Sequence, residues 1–183
     1  MTRLFILLTG FLACLGDATA ATYSGTAGSV QFFNEASLHK FEGTAPDFVA
    51  SFDTDSMAGT LVVQTKTMTT HLFPRDNKMR NMCLEVDTYP TITFRLNGIE
   101  GNTDALSSGT GSGAVTLKGT LTIRDVTRTV AFAATYNASV DSLTMSGAYA
   151  FKWTDFNIPD PSIFVSTLYP DMSVQFNVTM KAR

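Results

Sequence analysis

The feature that most constrains this sequence is a repeated alternation of apolar and polar residues. Every second residue of a β-strand points to the same face, so this period predicts strands with one buried and one solvated face. The polar positions carry mainly Thr, Ser, Gln, Asn and Lys, which favours antiparallel pairing, since parallel sheets bury both faces. A single antiparallel barrel or sandwich is expected. Eight segments carry the pattern: Val30 and Phe32; Phe48, Ala50 and Phe52; Leu61 and Val63; Ile92, Phe94 and Leu96; Val115 to Ile123; Val130 to Tyr136; Leu143 to Trp153; and Met172 to Met180.

One segment after Phe73 has a helical period instead. Its apolar residues fall at i, i+3, i+4 and i+7, which places them on one side of a helix. Pro90 is expected to end this segment, because proline lacks an N–H and disfavours helix in the residue before it. A strand can then begin at Thr91. The helix face that we expect to pack on the strands consists of Met79, Met82, Cys83 and Val86.

The first twenty residues have the layout of a secretory signal peptide. Arg3 precedes an apolar run over residues 4–15, and small residues at 18–20 suit cleavage after Ala20. This predicts a signal peptide over residues 1–20, one domain over residues 21–183, and a periplasmic or secreted location. A lipoprotein tether at Cys14 is the less favoured alternative, because Phe11 and Leu12 fit a lipobox poorly.

Charge and cysteine content exclude some classes of function. The net charge is −3 and the basic residues are scattered, whereas nucleic-acid binding normally requires a basic stripe. After the signal peptide, no segment approaches the about twenty apolar residues of a membrane-spanning helix. Cleavage would leave Cys83 alone, so the domain must fold without an internal disulfide, and Cys83 is expected to be an inert buried thiol. The sequence leaves the oligomeric state open, and a dimer is one possibility.

Two connections stand out as loops. Residues Asp104 to Gly113 are rich in Gly and Ser, and we expect a mobile loop at the rim of the barrel there. The segment from Pro159 to Pro170 is the other long connection.

Four motifs in the right order resemble those of the YceI-like family. They extend over nearly the whole mature chain. The first fits the pattern RD-x-x-[LM]-R followed by YP-x-I-x-F. In two others, Asp125 and Asn157 replace residues that are usually glycine. The matching residues are Arg75-Asp76 with Met79-Arg80 and Tyr89 to Phe94; Leu117 to Arg128; Ser37 to Gly43; and Trp153 to Ile158.

The resemblance implies an all-β fold: an extended, lipocalin-like antiparallel β-barrel of about eight strands with one short helix. It also implies that the interior binds a long isoprenoid chain. Flat aromatic rings suit such a chain, because they give large contact areas at low entropic cost. A plain packed core is the alternative for each residue alone. The candidate ligand-binding residues are Phe32, Phe48, Phe52, Leu61, Val63, Phe94, Leu96, Leu121, Ile123, Val130, Phe132, Tyr136, Tyr149, Phe151, Trp153, Val174 and Phe176.

Polar chemistry is sparse by comparison. Arg75 and Arg80 are candidates to contact an anionic head group, although a solvated helix face is the favoured explanation for them. His39 and His71 lie in no metal-ligand motif. No nucleophile motif or Gly-rich phosphate loop is found in the sequence. We therefore expect no catalytic residues, no metal and no cofactor.

The sequence thus predicts a non-enzymatic binding or carrier protein that holds a long-chain isoprenoid or similar apolar lipid. The alternative is a structural or partner-binding β-domain with a fully packed interior and its function on the loops.

Overall fold

The computed structural model describes residues 21–162 and 166–183. Within them, nine strand segments form one antiparallel sheet. The predicted signal peptide and the Cys14 alternative lie outside the described residues. The elements are β1 (Thr22–Ala36), β2 (His39–Thr44), β3 (Phe48–Asp53), β4 (Ala58–Gln64), α1 (Phe73–Lys78), β5 (Thr91–Gly101), α2 (Asp104–Ser108), β6 (Gly111–Ile123), β7 (Val126–Ser139), β8 (Ser142–Lys152) and β9 (Leu168–Ala182).

The sheet closes into an eight-stranded barrel. β1 pairs with β9 as well as with β3, which joins the two ends of the strand order. β2 and β3 together form one interrupted strand, because both pair with β1 in the same register: Gln31 lies opposite Thr44, and Gly25 lies opposite Ala50. The predicted fold class, an antiparallel barrel of about eight strands with a short helix, is confirmed.

The two ends of the barrel are built differently. At one end, which we call the α1 end, the connection from β4 to β5 carries α1, and the connection from β8 to β9 begins and ends at the same end. At the other end, the α2 end, α2 joins β5 to β6, and its Leu106 is only 1% exposed. Tyr136 lies at this end and donates its hydroxyl hydrogen bond to the carbonyl of Asn102 at 3.0 Å. The α2 end is therefore filled by side chains.

The helical segment differs in part from its predicted form. α1 continues into a π-helical turn over Met79–Cys83, where the Leu84 N–H donates to the Met79 carbonyl at 2.9 Å. This wider turn changes the helix face, so Met82 is 37% exposed and the prediction that it packs on the barrel was wrong. Glu85 has a left-handed φ of 47°, so the helix ends well before Pro90. β5 begins at Thr91 as expected.

The prediction of a loose loop over residues 104–113 was also wrong. These residues form α2 and the start of β6. Gly109 has a left-handed φ of 72° and ends the helix, the usual role of glycine at this position. The burial of Leu106 holds α2 against the end of the barrel.

Candidate functional site

The interior of the barrel contains a cavity of about 580 Å³. All nine strand segments contribute to its wall, as do α1, the π-helical turn and the segment before β9. The volume lies within the roughly 300–1,000 Å³ of small-molecule sites. Most of the wall is aliphatic or aromatic. The cavity is therefore large enough, and apolar enough, for an extended hydrocarbon ligand.

The structure brings together nearly all of the apolar residues that the sequence singled out. Phe48 and Tyr136 are the exceptions, since both are buried but neither lines the cavity. Tyr136 instead fills the α2 end. Whether the lining residues contact a ligand stays a prediction. Those in the wall are Phe32, Phe52, Leu61, Val63, Phe94, Leu96, Leu121, Ile123, Val130, Phe132, Tyr149, Phe151, Trp153, Val174 and Phe176.

Five of these residues form a connected aromatic cluster around Phe132. The Phe132 ring centroid lies 5.3 Å from that of Phe94, 5.4 Å from that of Tyr149 and 5.9 Å from that of Phe176. Tyr149 in turn stacks on Phe151 at 5.6 Å. Burial raises the pKa of Tyr149, and the nearby Asp155 charge adds to this effect. Its hydroxyl is thus neutral at ordinary pH, and the cluster adds no charge to the wall.

Two inward-facing glycines make room for these rings. Gly43 lies opposite Phe32, and Gly147 lies opposite Phe176, in the strand register. A Cβ atom at Gly43 would lie 2.1 Å from the Phe32 ring, and one at Gly147 would lie 2.9 Å from the Phe176 ring. The rings therefore occupy space that any larger residue at these positions would take.

The predicted head-group arginines make different contacts. The Arg75 guanidinium lies 4.3 Å from the centroid of the Phe41 ring and donates to the hydroxyl and carbonyl oxygens of Thr70 at 2.7 and 2.8 Å. Arg75 lines the cavity, whereas Arg80 does not. Arg80 donates twice to the Met68 carbonyl, at 3.1 and 2.7 Å. Both arginines thus hold the α1 connection in place, and Arg75 alone also borders the cavity.

Asp76 anchors the same connection from inside. Its carboxylate accepts hydrogen bonds from the Thr69 hydroxyl at 2.6 Å and from the Thr70 amide and hydroxyl at 2.7 and 2.5 Å. Burial by itself would raise the pKa of Asp76, but these hydrogen bonds and the Arg80 charge together lower it below its ordinary value. Asp76 is therefore a structural carboxylate, with both of its oxygens hydrogen-bonded to the chain.

Lys78 connects the two chain segments at the α1 end, α1 itself and the residues that precede β9. The Lys78 ammonium donates to the carbonyl oxygens of Pro161 at 2.5 Å and of Ser162 at 3.3 Å. Lys78, Pro161 and Ser162 all line the cavity. Cys83 lies beside them, and burial raises the pKa of its thiol, as expected for an unreactive cysteine. This link holds α1 against the chain before β9.

One polar residue of the wall was missed by the sequence analysis. Asn34 continues the inward alternation of Val30 and Phe32 on β1, and it is 6% exposed. Its Nδ2 donates to the carbonyls of Tyr169 and Asp171 at 3.3 and 3.2 Å. The sequence does contain a signal for this residue, because Asn34 is a polar residue in the alternating series of inward-facing apolar residues on β1.

The described residues contain neither a metal-binding cluster nor a membrane-spanning helix. In residues 21–162 and 166–183, no three His, Cys, Asp or Glu side chains group closely enough to bind a metal ion. None of the helices in these ranges has both the length and the apolar character needed to cross a membrane.

The fold and the cavity define a class: closed, eight-stranded antiparallel barrels with a lipocalin-like architecture and an apolar interior. The chain belongs to the family of YceI-like domains, whose family model matches residues 22–180. The resemblance seen in its motifs is therefore confirmed.

Three solved structures illustrate the likeness. A polyisoprenoid binding domain from Saccharophagus degradans, implicated in plant cell wall breakdown, is 16% identical, with a TM-score of 0.75 over 90% of this chain and 100% of that one. BcnA of Burkholderia cenocepacia is 18% identical, with a TM-score of 0.69 over 83% and 95% of the two chains. The Campylobacter jejuni YCEI protein is 17% identical, with a TM-score of 0.58 over 100% and 99%. At these identities the likeness establishes the fold. None of the curated proteins matches this sequence.

Proposed function

We propose that this protein binds a long-chain isoprenoid or a similarly apolar lipid inside its barrel and acts as a non-catalytic carrier. The observation that carries the proposal is the cavity of about 580 Å³ with its aromatic and aliphatic wall. Membership of the YceI-like family supports it. So does the similarly folded domain that is described as polyisoprenoid binding.

Burial of the chain is the main source of affinity in this proposal. Each buried CH₂ group contributes about 0.8 kcal/mol, so one five-carbon unit contributes a few kcal/mol before ordering costs. An exposed ion pair to a head group adds only about 0–1 kcal/mol. Arg75 already donates to Thr70, so we propose no more than an accessory role for it.

The alternative function requires a fully packed interior, so the cavity supports the carrier function over it. A non-enzymatic role agrees with the chemistry of the wall, since Lys78, Arg75 and Thr70 are engaged with the protein itself. We also propose that residues 1–20 direct export to the periplasm or beyond. Mass spectrometry of the mature N-terminus tests this, with a first residue of Ala21 expected.

Native mass spectrometry of the protein expressed with its own N-terminal segment tests the proposed ligand. We expect a bound species that lipid extraction identifies as a polyprenyl or quinone compound. A protein emptied by extraction should then bind about one equivalent of a fluorescent polyene fatty acid inside the barrel, because the interior cavity is apolar. An empty protein that also leaves the polyene unbound contradicts the proposal.

A further inference from the structure

Exposed apolar side chains gather at the α1 end of the barrel. Seven large apolar side chains are exposed in the described residues. Four of them belong to the turn between β1 and β2 or to the connection from β4 to β5: Leu38, Leu72, Phe73 and Met82. Leu38 is 71% exposed and Phe73 is 80% exposed. Scattered apolar residues are ordinary on a protein surface, but a group of them at one end indicates an interaction site.

The two segments that carry these residues lie side by side. Thr44 on β2 and Thr69 ahead of α1 exchange backbone hydrogen bonds of 2.8 and 2.9 Å. The Arg75 guanidinium on α1 lies 4.3 Å from the centroid of the Phe41 ring on β2. The turn between β1 and β2 is therefore part of the α1 end, next to α1 itself.

The exposed surface at this end is continuous with the cavity. His39, Leu72 and Pro74 are exposed, and all three also line the cavity. Phe73 lies between two of these lining residues in the sequence and is more exposed than either end of the barrel requires for packing. An apolar ligand in the cavity would thus meet the same face of the protein that exposes Leu38 and Phe73.

Basic residues accompany this apolar surface. Residues 73–83 contain three basic side chains, Arg75, Lys78 and Arg80, and one acidic side chain, Asp76. The basic groups donate to hydroxyl or carbonyl oxygens, which are uncharged. None of the ion pairs in the part of the chain that the structure describes includes these three residues. Exposed leucine and phenylalanine beside uncompensated positive charge is the composition of surfaces that bind at a membrane interface.

We propose that the α1 end docks on the surface of a phospholipid bilayer, with Leu38 and Phe73 inserted among the lipids and the cavity facing the membrane. The ligand then passes between bilayer and barrel with little exposure to water. This inference rests on the proposed binding of an apolar chain, and it names the partner from which that chain comes. A long apolar chain is concentrated in bilayers for the same reason that it favours the cavity, since each of its CH₂ groups gains by leaving water.

Vesicle flotation tests the docking surface. The probe is a vesicle of phosphatidylethanolamine and phosphatidylglycerol, and the variant is the double substitution Leu38→Ser/Phe73→Ser. We expect the apparent affinity for vesicles to fall at least about tenfold, because two apolar side chains no longer insert. The matched control is Val140→Ser in the turn between β7 and β8, since Val140 is 76% exposed but lies at the α2 end. This control should bind vesicles as the wild type does.

Transfer of a fluorescent polyene fatty acid tests the link to ligand exchange. Neither Leu38 nor Phe73 lines the cavity, so the double variant should bind the polyene in solution with an unchanged Kd. When the polyene is supplied in vesicles, its rate of transfer to the double variant should fall about tenfold relative to the wild type and to Val140→Ser.

Each contrary outcome has a separate meaning. Wild-type protein that does not bind vesicles, or a double variant that binds them equally well, overturns this inference. Equally fast transfer to the double variant also overturns it. So does a wild-type dimer, measured by light scattering, that the double variant converts into a monomer, because a second copy of the chain then covers these residues. All of these results leave the proposed function standing, whereas failure of the wild type to bind the polyene in solution overturns the proposed function itself.

Discussion

The ammonium group of Lys78 lies 2.5 Å from the main-chain carbonyl oxygen of Pro161. These residues are far apart in sequence, and their contact fastens α1 to the chain that leads into β9. Both residues line the cavity. The contact therefore joins the two parts that cover the α1 end.

We expect Lys78→Met to speed ligand release. A hydrogen bond from a charged group contributes about 1.5–3 kcal/mol, so its loss should raise the dissociation rate of a bound polyene about tenfold or more. Stopped-flow fluorescence measures this rate. The matched control is Lys118→Met, which removes an exposed partner of Glu100 on the barrel wall and should leave the rate unchanged. Equal rates in both variants would show that the α1 end does not control release.

Asp76 should make stability depend on pH. Its folded-state pKa is below the ordinary value of 3.8, so its contribution is complete above that ordinary value and is lost as pH falls through the folded pKa. We expect Asp76→Asn to lower the free energy of unfolding by roughly 1–3 kcal/mol near pH 6, and by less near pH 2.5.

Urea denaturation at the two pH values measures this difference. Asp125→Asn, at an exposed carboxylate in the turn between β6 and β7, is the control and should change little. A penalty for Asp76→Asn that is the same at both pH values would mean that the loss of the carboxylate acts through packing, not through charge.

Substitutions of Phe132 and Phe48 should have different effects: the first should weaken ligand binding, and the second should lower stability. Phe132 is at the centre of the aromatic cluster, whereas Phe48 is buried outside the cavity. Aromatic pairs contribute about 0.5–1.5 kcal/mol each, so Phe132→Leu should weaken polyene binding about tenfold. Phe48→Leu should lower the melting temperature while the Kd is unchanged. Fluorescence titration and thermal denaturation of both variants check this; a Kd shift for Phe48→Leu alone would contradict the placement of the site.

Gly147 should control the volume of the cavity. A Cβ at this position would lie 2.9 Å from the Phe176 ring and 3.0 Å from the Ala133 carbonyl oxygen. Gly147→Ala should therefore push Phe176 into the cavity and reduce polyene binding. Gly98→Ala is a close control on β5, because nothing lies within 4 Å of its added Cβ. We expect full binding in that variant, and a crystal structure of Gly147→Ala would show whether the ring has moved.

The barrel itself was predictable because its signal is local. Alternation in eight segments identified every strand segment of the described residues except β2, and the polar outer faces identified the antiparallel pairing. Fifteen of the seventeen apolar candidates line the cavity for the same reason. Phe48 and Tyr136 also follow the alternation, but neither lines the cavity. Alternation predicts which residues face inward and does not predict where along the barrel axis the cavity lies. Asn157 also agrees with its glycine-like motif position, since its φ is 52°.

The errors came from features that depend on tertiary contacts. α2 is a five-residue helix, too short to show a helical period, and the burial of Leu106 depends on the barrel beneath it. The π-helical turn altered the face predicted from a period of 3.6, which exposed Met82. Arg80 resembled a free surface charge because its partner, the Met68 carbonyl, is twelve residues away.

The closure of the α2 end by Leu106 and Tyr136 has a consequence for the route by which a ligand could enter and leave the barrel. If the barrel binds a long apolar chain as proposed, closure of the α2 end means that the chain would enter and leave at the α1 end. The depth of the cavity would then limit how much of the chain is buried: a short chain would be covered completely, and the remainder of a longer chain would extend from the α1 end.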